Sequence, residues 1–171
     1  MYENLEQMSH MLNNLHGILT KGEEHAKEHG LEHDALLEAK LYEDMHALTR
    51  QIQACTDTLK FAAGRLSGKT DAMPAFPDEE QTFEELHARL DKAIDYFATF
   101  SAEDFEGASE RHITLPFAKT MYAMGDDYLY GFAIPNFYFH VTTAYAILRN
   151  QGVPVGKRDF IGGFKMQPIE G

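Results

Sequence analysis

The sequence predicts an all-α fold, an antiparallel four-helix bundle with a small hairpin or irregular loop before its last helix. Three observations predict it. Apolar residues recur at intervals of three and four over long runs, glycines stand where those runs stop, and a proline-bearing segment separates the second run from the third. The 171 residues read as one domain, 1–171, of a size that buries about 70% of its unfolded surface.

The first helix carries Leu5, Met8, Leu12, Leu15 and Leu19, one stripe suited to antiparallel packing, and Gly30 is its stop. A longer stripe, Leu41, Met45, Leu48, Ile52, Cys55, Leu59, Ala62 and Leu66, predicts a second helix ended by Gly68. Residues 33–41 are helix-prone with a less regular phase, which predicts a bend or a short separate helix before the main run.

The segment GKTDAMPAFPDEEQ is a loop. Thr82 then opens the third helix with Glu85 as its capping-box partner, and Phe83, Leu86, Leu90, Ile94 and Phe97 form its apolar face. Residues 101–105 add one short turn. The alternation of Ile113, Leu115 and Phe117, with a second run around Met121 and Tyr122, predicts the hairpin or irregular loop. Pro135 fits the first turn of a last helix that runs to about Asn150 and stops at Gly152.

That last helix is apolar nearly all round: Phe137, Phe139, Val141, Ala144, Ile147 and Leu148. Such a helix is central in a bundle. Asn136, His140 and Thr143 stand on one face of it at spacings of four and three. Buried polar groups need partners, because each one left unsatisfied costs about 1–3 kcal/mol. Three readings stand side by side: a satisfied core network, a pocket wall with Tyr138 and Tyr145 beside it, and a metal ligand at His140. His46 flanks the second stripe with Tyr42 and Thr49 and reads as a boundary histidine with its tip in water. His25, His29 and His33 are evenly spaced but lie in a wholly polar stretch, a solvated helix end rather than a metal stripe. Cys55, on the apolar stripe, reads as a buried inert thiol.

Composition narrows the classes of function. A formal net charge of −12 argues against nucleic acid as partner, since phosphate binding needs clustered Lys and Arg. The basic residues Arg149, Lys157, Arg158 and Lys165 outnumber Asp159 and Glu170 in the C-terminal segment, which suits docking on the acidic bundle, needing no extra assumption, or holding an anionic ligand. The most apolar region, residues 128–148, is interrupted by Gly131, Pro135, Asn136 and His140, so no membrane span is expected. A single cysteine and an acidic N-terminus without a secretory signal suit a cytoplasmic protein. No phosphate loop, zinc-type cysteine pair or nucleophile elbow is present.

The runs PNFYFHVTTAYAILRNQGVP and GKRDFIG, with LLEAKLYEDMHALTRQIQ and YLYGF, resemble a branch of the DinB/YfiT-like superfamily of bacterial four-helix bundles, known mainly as a domain of unknown function. The resemblance spans most of the chain. It implies a bundle with a long crossover connection, often a homodimer. Metal-containing relatives hold a divalent ion with three histidines, one from the second helix and a His-x3-His pair from the last. Some of them transfer or isomerise small molecules with low-molecular-weight thiols. Carried over, His46 takes the second-helix position and His140 the first of the pair; Ala144 stands where the second would be.

The expectation is therefore a dimeric bundle with a small-molecule pocket at the last helix and no cofactor. The alternative is a metal-dependent transferase, isomerase or hydrolase using zinc or nickel at His46, His140 and a third ligand. A third reading is metal-free catalysis with His140 as general base.

Overall fold

The structure, a computed structural model, describes residues 1–32, 34–164 and 166–169. Four long helices form the frame: α1 (Tyr2–His29), α2 (Leu48–Ser67), α3 (Phe83–Ala98) and α5 (Ile134–Asn150). The short α4 (Gly125–Tyr128) precedes α5, and α6 (Lys157–Ile161) follows it. The chain is thus mostly helical, as the stripes predict.

Each stripe is buried where its helix forms. Leu5, Met8, Leu12, Leu15 and Leu19 of α1 are 0% exposed, as are Ile52, Cys55, Leu59, Ala62 and Leu66 of α2. Gly30 caps α1 at φ 61° and Gly68 caps α2 at φ 75°, both in the left-handed region that favours glycine. The Thr82–Glu85 capping box opens α3.

Helix directions follow from the residues that meet. Tyr2 stacks on Phe97 and His16 packs against His87 with its ring tilted, so α1 and α3 run antiparallel. Asn136 reaches Thr58 and His140 reaches Gln51, so α2 and α5 run antiparallel too. Arg89 meets Thr56 and Tyr96 lies against Gly64, which makes α2 and α3 parallel. Residues 68–82 are therefore a long crossover between helices of the same direction.

Two helix starts differ from the sequence reading. The second helix begins at Leu48, and Leu41 and Met45 lie ahead of it in irregular chain. Leu36 and Leu37, each 2% exposed, fill the core there instead. The carbonyls of Leu37 and Ala39 accept from the Thr49 and Leu48 amides and fix the start of α2. Pro135 falls in the first turn of α5, as expected, but that turn is not a free helix end. Gly125–Tyr128 is α-helical, Leu129–Ala133 is a π-helical turn, and α5 continues without a break. The widened turn lies just before Pro135, whose ring would press on the carbonyl four residues back in a regular helix.

The predicted hairpin is present but short. Strands β1 (His112–Thr114) and β2 (Tyr122–Met124) pair antiparallel with Ile113 opposite Ala123. Leu115 and Phe117 lie in the connection between them. The short turn predicted at 101–105 is a 3-10 turn, Ala102–Phe105. The C-terminal segment docks on α1: Asn14 donates to the Phe160 and Ile161 carbonyls, and Lys21 pairs with Asp159 at 2.6 Å. The Lys21 ammonium and the Gly156 amide hold the Asp159 carboxyl below its usual range.

Candidate functional site

A cleft of about 290 Å³ opens between α2, α5 and the β1–β2 connection. Its α2 wall is Arg50, Ala54, Asp57, Thr58, Phe61 and Arg65, a second stripe at helical spacing on the flank of the apolar one. The facing wall is Tyr128, Phe132, Asn136 and His140, four residues apart each time, and Phe117 closes the rim. Phe117 lies 5.9 Å from Phe132, and Phe132 lies 6.0 Å from Tyr128, ring centre to ring centre.

His140 is the best-defined group in it. Gln51, 1% exposed, donates its side-chain amide to the His46 carbonyl at 3.0 Å. Its side-chain carbonyl therefore faces His140 and accepts from Nδ1 at 2.7 Å. A carbonyl only accepts, so Nδ1 carries the proton and Nε2 keeps its lone pair. Nε2 has no partner among the described residues. Burial, then the Arg50 guanidinium, then His46 lower the His140 pKa from its usual 6.5. The ring is thus held neutral, with an acceptor nitrogen available.

Asn136 donates to the Thr58 hydroxyl at 2.8 Å, and Thr58 donates on to the Ala54 carbonyl at 2.7 Å. The Asn136 carbonyl oxygen has no partner among the described residues. Charges on the α2 wall are mostly compensated. Arg50 pairs with Asp78 at 2.6 Å, and Asp57 with Lys60 at 2.7 Å and Arg89 at 3.2 Å. Arg65 is the exception: it donates to the Tyr128 hydroxyl at 3.1 Å, and no carboxylate lies within ion-pair distance among the described residues.

Of the residues singled out in the sequence, the cleft brings together Asn136 and His140. Thr143 is buried and donates to the Phe139 carbonyl one turn back, away from the cleft. Tyr138 turns towards α1, where it meets Gln7, and burial raises its pKa. Tyr145 packs edge-on against Phe160. Helical geometry separates them, since residues two and five positions from His140 point away from its face. His46 is exposed ahead of α2. His25 and His29 sit at the end of α1, outside the cleft, and His33 lies outside the described residues. Cys55 is fully buried and its thiol is pushed up to about 12 by burial.

The α2 residues Arg50, Thr58 and Arg65 and the β-connection residue Phe117 were not singled out in the sequence. Their spacing on α2 was visible, but a charged flank of that kind reads equally as a solvated face.

The donor set does not fit the three-histidine ion of metal-containing relatives. Ala144, one turn beyond His140, is fully buried and offers only a methyl group. Among the described residues no group of three or more His, Cys, Asp or Glu side chains is gathered to hold an ion. The Arg65 guanidinium on the same wall, without an acid partner among the described residues, also opposes a cation. No helix among the described residues is long and apolar enough to cross a membrane.

A sequence-family model described as a domain of unknown function, DUF1993, matches residues 1–161. No curated protein was found to match the chain. Among solved structures the chain is similar to a DinB family member protein from Shewanella denitrificans. The two share 38% identity over 98% of this chain and 94% of the other, with a TM-score of 0.94.

Proposed function

The chain belongs to the DUF1993 family and folds as a DinB-like bundle, and from that premise we propose that it binds a small molecule in the α2–α5 cleft. The single observation behind this reading is the half-used hydrogen bonding of His140 and Asn136. Each donates a hydrogen bond to α2, and each lines the cleft with an acceptor that no described residue uses. Polar groups held this way beside aromatic rings are the usual make-up of a small-molecule site. No bound cofactor is part of this reading.

Protein-observed NMR with a fragment library tests it. Expected shifts cluster on Phe61, Phe132, Asn136 and His140, and Phe132→Ala reduces them. Shifts confined to other surfaces would overturn the cleft as the binding site.

A second reading, proton transfer by His140, is favoured by the lone pair at Nε2. A base of lowered pKa in the Nδ1–H form accepts a proton from a bound hydroxyl, thiol or amine at neutral pH. We further propose that the protein is cytoplasmic and works as a homodimer. Exposed Tyr42, Phe139, Phe164 and Met166 supply apolar surface that a partner copy would cover. Light scattering giving twice the 19.4 kDa chain mass supports the dimer; the single mass overturns it.

A further inference from the structure

We infer that the ligand of this cleft is an organic carboxylate with an apolar body, held at its charged end by Arg65. The inference rests on the reading of the cleft as a binding site and names the class of molecule it takes.

In a chain of net charge −12 a half-buried guanidinium would be expected to find an acid. Arg50 and Arg89 do so, with Asp78 for the first and Asp57, Asp78 and Glu80 for the second. Arg65 instead lies between rings, 4.7 Å from the Phe61 centroid and 5.7 Å from that of Tyr128. Arg111 lines the adjoining hollow with it and adds a second positive charge rather than a negative one.

The rings and the Tyr128 hydroxyl hold the guanidinium plane in place, so little side-chain freedom is lost when a ligand arrives. The remaining N–H groups form the planar fork that fits a carboxylate with two parallel hydrogen bonds. Tyr128 accepts from Arg65 and keeps its own O–H to donate to the same anion.

The rest of the wall specifies the body. Phe61, Leu115, Phe117 and Phe132 offer apolar contact next to Arg65. Thr58, bonded to Asn136, lies seven residues from Arg65 on α2, about 10 Å along the axis at 1.5 Å per residue. There the free carbonyl of Asn136 accepts from a hydroxyl or N–H on the ligand's far end. The site thus reads a carboxylate at one end, an apolar middle and, about two helical turns on, a hydrogen-bond donor.

Calorimetric titration of the full chain with 4-phenylbutyrate, its neutral amide 4-phenylbutanamide, and phenyl phosphate tests this. The carboxylate is expected to bind at least tenfold more tightly than the amide. Arg65→Gln should remove that preference. In the wild type, added salt should weaken the carboxylate and not the amide, a readout that survives if the variant fails to fold. Equal binding of carboxylate and amide, both reduced by Phe132→Ala, would overturn the carboxylate assignment and leave the cleft reading standing. Tighter binding of phenyl phosphate would overturn it in favour of a phosphoryl ligand. Binding of none of the three would overturn both.

Discussion

Gln51 holds the His140 ring by its Nδ1–H at 2.7 Å, and the bond joins a residue that is 1% exposed to one that lines a cleft. The contact is structural on the Gln51 side and leaves the His140 Nε2 side available for ligand. One hydrogen bond therefore serves packing and site geometry together.

His140→Ala is expected to destabilise the fold by about 1–3 kcal/mol, because the Gln51 carbonyl is left buried without its donor. Urea denaturation measures it. A neutral result would mean that water replaces the ring at no cost. His46→Ala, at an exposed residue, should stay within about 0.5 kcal/mol.

Stability should fall on acidification, through two histidines. His87 is lowered from 6.5 by burial and by His16, against the pull of Glu23 and Asp91, and His140 is lowered by burial, Arg50 and His46. A depressed pKa means that the unfolded chain takes up the proton first. The stability is thus fully present above pH 6.5 and is lost as pH falls from there through the folded values. Thermal melts between pH 8 and pH 5 should show the loss, and His87→Gln should lessen it. A flat profile would count against both assignments.

Arg89→Met should cost about 3–5 kcal/mol. Arg89 is 1% exposed and gathers Asp57, Asp78 and Glu80 at 3.2, 3.0 and 2.9 Å. Removing it leaves three carboxylates facing one another. Arg89→Lys should recover only part of the loss, since an ammonium lacks the planar fork that reaches all three. Full recovery by lysine would show that charge alone matters there.

Zinc and nickel should be present at well under one equivalent in protein purified without a tag, and a chelator should not unfold it. The reason is the buried Ala144 methyl in place of a third ligand. One equivalent lost in both His46→Ala and His140→Ala would reverse this expectation and revive the metal-dependent alternative.

The parts of the fold that local chemistry dictates were legible in the sequence. Gly30 and Gly68 at positive φ and the Thr82–Glu85 box mark their helix ends by rules that need no tertiary partner. The start of α2 was not legible, because Leu41 and Met45 continue the stripe in perfect phase. What ends the helix at Leu48 is distant: Leu36 and Leu37 occupy the core, and the Leu37 and Ala39 carbonyls take the first amides. Asn136 and His140 were legible as a polar line. That the first meets Thr58 and the second Gln51, rather than each other, depends on how α2 lies against α5.

The π turn at Leu129–Ala133 has a consequence for inheritance. A widened turn holds one residue more than a regular one, so losing any residue of this stretch would restore a uniform helix. Everything upstream would then swing by about 100° relative to α5, the angle of one helical step. Tyr128 would leave Arg65, and the stacked pair it makes with Phe132 would separate. A one-residue deletion there would therefore erase the cleft while sparing the apolar residues of α5. The length of this turn thus sets the alignment of the wall, as the side chains set its chemistry.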